Sequence, residues 1–231
     1  MERTRETISE TAVARTSLRF KYDGTSLAAL GESFSAERLR TYLKLASGSH
    51  SDAMSMYARN VALASAFYGP LQTLEVALRN AVNNILTDSH GESWFGDSTL
   101  LKRNELNRAR RAIQSVGKQL TAGRVLAELN FGFWVALFAK GYEAQLWRTN
   151  LHRLFEPQPI RHELHGQLDR LRTLRNRVAH HEPILQRDLQ TDYDKIKWIL
   201  QMLSPTTAVW TEHHSRVPEI LGVNHLQVVR F

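Results

Sequence analysis

An all-α fold is what this sequence predicts, on three observations. Apolar residues recur at three- and four-residue steps over long stretches, the spacing that places them on one face of a helix. Runs with the two-residue alternation of a half-buried strand are sparse. The segment FGFWVALF, Phe131 to Phe138, is apolar all round, which marks burial rather than an amphipathic surface. With 231 residues, 42% hydrophobic and 23% charged, the chain is long enough for a sizeable core and too apolar to be disordered.

The opening MERTRETISETAVARTSLRF has arginines but no apolar h-region, and Glu2, Glu6 and Glu10 argue against a transit peptide, so residues 1–34 read as a loosely ordered arm. Ser35 is suited to cap a first helix from Ala36 to Ala46. The SGSHSD stretch ends it, and a second helix starts near Ser51 or Asp52. Gly69-Pro70 is expected to divide this helical region, because proline lacks an amide donor and disfavours helical geometry in the residue before it. The next helix, Leu71 to Thr87, carries Leu74, Leu78, Ala81 and Ile85 on one stripe. HGESWFGDS forms a loop, followed by a helix from Leu101 to Leu120, a shorter one from Arg124 to Leu129, and the buried FGFWVALF. A helix from Ala144 to Phe155 precedes the EPQPI break; two more, Arg161 to His181 and Leu185 to Leu203, are separated by Pro183. Residues 204–231 have little periodicity and are expected as an extension packed on a single domain of residues 35–203.

No apolar run has the ~20 uninterrupted residues of a membrane span, so a protein without membrane partners is expected. Thirty Lys and Arg against 23 acids leave a net charge of +7 and a pI near 9.9, suited to a polyanionic partner such as nucleic acid. The absence of cysteine excludes disulfides, thiolate nucleophiles and cysteine zinc sites, and fits a cytoplasmic location. Signatures of a P-loop, a dinucleotide site, a serine hydrolase elbow and a kinase are absent. Ten histidines include His162, His165, His180, His181, His213 and His214, but His162-Glu163-Leu164-His165 is not HExxH, so neither a metal site nor a cofactor is expected.

A wheel of the Arg161 to His181 segment, at 100° per residue, isolates an anomaly. Leu164, Leu168, Leu171, Leu174 and Val178 share an arc of about 120°, the expected core face. His165, Asp169, Arg172, Asn176 and His180 form a separate stripe. Arg175 falls inside the apolar arc, and burying an always-charged group there requires an anionic partner or a wet cleft. Glu75 sits at the edge of an apolar arc on its own helix and is a candidate partner, either for Arg175 or for Arg79 one turn further on. Pro183 supports a helix end near His180 and His181.

The stretch Arg175-Asn176-Arg177-Val178-Ala179-His180-His181 resembles the RNxxAHH signature of Abi-like, abortive-infection (AbiD/AbiF-type) proteins in the HEPN superfamily. LEVALRNAV at Leu74 to Val82 and RVLAELNFGFWVALF at Arg124 to Phe138 resemble the same family, so the likeness covers roughly residues 35–203. It implies a HEPN-type helical bundle with additional helices, and a homodimer whose motif helices face each other across a two-fold axis. Active members look like metal-independent endoribonucleases of phage defence or toxin–antitoxin systems, with a possible antitoxin or regulatory RNA as partner. The superfamily also contains non-catalytic RNA-binding or regulatory modules, and a DNA-binding regulator is a third reading, without a helix-turn-helix signature.

RNA carries its own nucleophile, the 2′-hydroxyl, so such a site needs a base, charge stabilisation and orientation of the strand. His180 is the first choice as base, since imidazole ordinarily titrates near 6.5. His181, or the partner subunit's His180, would protonate the leaving oxygen. Arg175 would bind the phosphoryl oxygens and Asn176 would orient the ring or hold the phosphate. Lys102, Arg103, Arg108, Arg110, Arg111, Lys118 and Arg124 fall in one 23-residue stretch with a single acid, Glu105, and with Arg172 and Arg177 they are candidate phosphate contacts. Trp94, Phe95 and Trp210 are read as anchoring loops to the core, with stacking on bases as the alternative.

Overall fold

The computed structural model describes residues 20–119, 121–223 and 231; they form helices and loops, with no strand among them, and the fold is all-α. The chain separates into two units, one ending at Ala62 and taking in Val223, the other spanning Leu63–Gly222.

In the first unit, α1 (Gly24–Phe34) starts at Asp23, whose carboxylate accepts from the Ser26 amide at 2.9 Å; that bond holds the carboxyl below its usual range. This helix lies in the segment read from sequence as an arm, and residues 1–19 of that arm lie outside the described residues. α2 (Ala36–Leu45) is capped by Ser35, as expected. Tyr42 is fully buried edge-on to Tyr57, and burial pushes its phenol up to about 12.

The third helix, α3 (His50–His90), runs straight through Pro70, contrary to the expected division. Proline leaves the Ala66 carbonyl without its helical donor, a penalty of about 3 kcal/mol. Leu63, Phe67, Leu71 and Leu74 nevertheless lie on one face, nearly inaccessible, and each such burial is worth about 1.5–3 kcal/mol. The apolar face outweighs the proline. Its stripe continues through Leu78, Val82 and Leu86, all fully buried, while Ala81 and Ile85 sit at its half-buried margin. Among the described residues α3 alone has the length and mean hydropathy of a membrane span, and part of it is buried within the protein.

The second unit continues with α4 (Arg103–Val116), α5 (Ala122–Glu128), α6 (Phe131–Ala136), α7 (Arg161–Ala179), α8 (Leu189–Leu203), α9 (Pro205–His214) and α10 (Val217–Gly222). The FGFWVALF segment is buried, with Trp134 donating its indole N–H to the Leu129 carbonyl at 3.1 Å. Trp94 packs edge-on to Trp134 and donates to Asn83, which makes it a core anchor. The single helix expected over Ala144 to Phe155 is replaced by a π-helical turn, Glu143–Trp147, and a 3₁₀ turn, Leu151–Leu154. Phe138, Trp147 and Phe155 form an aromatic cluster with centroids 5.9–6.4 Å apart, and Asn150 between the turns has non-helical backbone angles. α9 and α10 pack on α8, giving regular structure to the extension expected after Ser204.

One cluster ties α7 to α8. Asp192 is completely inaccessible; it accepts from Arg170, and from Arg187 at 2.9 and 3.2 Å, while both arginines also reach backbone carbonyls. Asp192→Ala takes the shared acceptor from the two partly exposed arginines and should lower stability by about 1.5–3 kcal/mol, read from urea unfolding.

Candidate active site

The five leucine and valine residues assigned to the core face of α7 are all buried, and Arg175 stands among them with its side chain 35% exposed. Its Nε donates to Oε2 of Glu75 at 3.1 Å, which settles the choice of partner: Glu75 reaches across to α7, and Arg79 instead donates its Nε to Asn80 at 3.3 Å. Glu75 owes its position to the drift of the α3 apolar stripe, which places it angularly between the buried Val82 and Leu86. The pair is wet, so its contribution lies in the surface range of about 0–1 kcal/mol rather than that of a buried pair. Its main consequence is orientation.

Arg175 lines a groove of about 490 Å³ between α3 and the end of α7. Tyr68, Gln72, Glu75, Val76 and Arg79 form one wall; Val178, Ala179 and His181 complete the other with Arg175. Among the described residues, the terminal amino groups of Arg79 and Arg175 have no hydrogen-bond partner, so two guanidiniums face one carboxylate. Such a groove can hold an oxyanion such as a phosphodiester.

The end of α7 decides where the two histidines go. His180 is the C-cap, its amide donating to the Asn176 carbonyl at 2.9 Å. His181 follows in the left-handed region at φ 57°; its amide donates to the Val178 carbonyl at 3.2 Å and the Glu182 amide to that of Arg177 at 2.8 Å. These two bonds form a Schellman motif, with histidine where glycine is usual. The reversal turns His181 into the groove with Arg175, whereas His180 and Asn176 do not line it. Both histidines are exposed.

The other cations divide. Arg172 is engaged by Asp169 at 2.8 Å, and Arg177 donates to the Pro183 carbonyl at 3.1 Å. Lys102 lies along Gly141 with its ammonium over the Tyr142 ring, where a Cβ on Gly141 would collide with Nζ. Tyr142 accepts from the Lys102 amide and donates to the buried Glu105, and burial raises its phenol pKa. Arg103, Arg110, Arg111 and Lys118 are exposed. Arg108 and Arg111 line a second cavity of about 240 Å³ with Glu128 and Asn130, and Arg108 and Arg172 flank Gly132. The two cavities share no lining residue. Among the described residues no group of three histidines or carboxylates could hold a metal ion.

Sequence reasoning missed Tyr68, Gln72 and Val76. Their signal was positions 68, 72, 75 and 79 recurring at three- and four-residue steps beside the core stripe. The chain matches no family model, no curated protein and no solved structure in the three comparisons made.

The left-handed residue makes a specific stability prediction. His181→Gly should stay within about 1 kcal/mol of the parent, while β-branched His181→Val should lose about 1–2 kcal/mol in chemical unfolding. On the polar stripe of α7, burial holds the His165 imidazole below its ordinary value, assisted by Arg161 and Arg172 and opposed by Asp169. The unfolded chain therefore binds that proton more readily, and stability present above about pH 6.5 is lost as pH falls towards the lowered value. His165→Gln should show a smaller drop in unfolding midpoint between pH 7 and pH 5 than the parent.

Proposed function

We propose that the protein is a metal-independent endoribonuclease of HEPN type, acting in the cytoplasm in phage defence or a toxin–antitoxin-like system, as a homodimer through α7. The observation that carries this reading is the convergence of Arg175, oriented by Glu75, and His181, turned by the left-handed helix end, on one groove. The net charge of +7 and the two guanidiniums of the groove suit a phosphodiester substrate.

In the reaction, the 2′-oxygen of RNA attacks the adjacent phosphorus while an imidazole takes the hydroxyl proton. The bond from phosphorus to the 5′-oxygen breaks, that oxygen receives a proton from a second acid, and the products are a 2′,3′-cyclic phosphate and a 5′-hydroxyl. Arg175 stabilises the charge developing on the phosphoryl oxygens through its terminal amino groups. His181, lining the groove, is favoured as base over His180, the first choice from sequence. His180, or the partner subunit's His180, is then the candidate acid. Arg103, Arg108, Arg110 and Arg111 are candidate contacts for the flanking strand.

A non-cleaving RNA-binding module is the second reading, and the Glu75 to Arg175 bond favours it, since it occupies one donor of the arginine. Incubation of RNA in EDTA with wild type, Arg175→Ala, His181→Ala and His180→Ala separates the two. The nuclease reading expects cyclic-phosphate ends from wild type, a loss of about 10²–10⁴-fold on removing the base, and about 10²–10³-fold for Arg175→Ala. Equal RNA binding with no cleavage by any of the four proteins supports the module.

A further inference from the structure

Tyr68 is 63% exposed on the groove wall, although every aromatic at the heart of the α3 stripe and of FGFWVALF is buried. A large ring left in water at the rim of a cationic groove has a chemical use if it offers a flat face to a planar ligand. Tyr68, Gln72, Glu75 and Arg79 lie along one line of α3, and at 1.5 Å per residue the ring stands about 10 Å along the axis from Glu75, where Arg175 is held, and about 16 Å from Arg79. This spacing separates an aromatic platform from two cationic ends along a groove, the pattern used for single strands, in which bases stack on aromatic faces while the backbone follows positive charge.

We infer that the groove selects unpaired RNA, with a base stacked on Tyr68 and the adjoining backbone running to Arg175 and Arg79. The inference rests on the RNA reading above and gives it a substrate class. In a duplex the bases are stacked on each other and their faces are closed to a protein side chain; only an unpaired base can meet the ring. The commitment to a nucleotide rather than to a protein segment follows from charge: the two arginine ends without partners among the described residues lie further along the same groove, with Glu75 the one acid lining it.

The test uses the whole protein and a short oligoribonucleotide carrying 2-aminopurine and 2′-O-methylated throughout, so that no 2′-oxygen can attack, offered single-stranded or annealed to its complement, with EDTA present and Arg175→Ala as the RNA-binding control. Wild type should bind the single strand more tightly than the duplex and quench the 2-aminopurine. Tyr68→Ala should weaken single-strand binding about 5- to 100-fold and abolish the quench, with Tyr68→Phe recovering most of both. Circular dichroism and thermal unfolding check the fold of each variant. If Tyr68→Ala binds and quenches like wild type while Arg175→Ala loses binding, the stacking inference is overturned and the RNA reading stands. A preference for duplex overturns it as well. If wild type binds neither form, the RNA reading itself fails. If Tyr68→Ala changes the mass in sedimentation without changing RNA binding, the ring belongs to a contact between copies of the chain, and the inference is wrong.

Discussion

A guanidinium placed on the apolar arc of a helix must find an anion or an opening to solvent, and Arg175 has both: Glu75 accepts a hydrogen bond from its Nε, and the rest of the group lines an open groove. The candidate site follows from this one placement. Arg175 shares the arc of the buried Leu168, Leu171 and Val178, and the carboxylate across the groove sets the direction of its guanidinium. The ion pair is too exposed to matter much for stability, which leaves orientation as its physical role.

The arginines of α7 divide by their surroundings. Arg170 joins the cluster around the inaccessible Asp192 that fastens α7 to α8, donating to that carboxylate and to the Asp188 carbonyl. Arg175 keeps its terminal amino groups uncommitted among the described residues and faces open space. The Asp192 cluster fastens the helix to α8, and Arg175, on the same helix, presents its charge to the groove. The proposed chemistry needs this combination of a rigid mount and an available charge.

Much of the fold was legible because its signals are local. Ser35 caps as its hydroxyl dictates, and the α7 leucines are buried as their period requires. Burial of FGFWVALF follows from apolarity on all sides. Pro70 misled because its local penalty is opposed by apolar residues on both sides of it, whose burial is a property of the packed unit. The turns from Glu143 to Leu154 misled for a similar reason: a helical apolar spacing is present, but the chain breaks into two turns where Phe138, Trp147 and Phe155 pack together.

By itself, the sequence determined the all-α class, the core face of α7, the anomalous position of Arg175 and the identity of Glu75 as an acid able to meet it. These depend on residue type and a helical period, both read along the chain. Only the tertiary structure decided that Glu75 pairs with Arg175 and not Arg79, that His181 and not His180 turns into the groove, and that Tyr68 stands exposed at its rim. Those outcomes depend on how two helices distant in sequence face each other, and on a left-handed residue at a helix end, where a change in one backbone angle redirects a whole side chain.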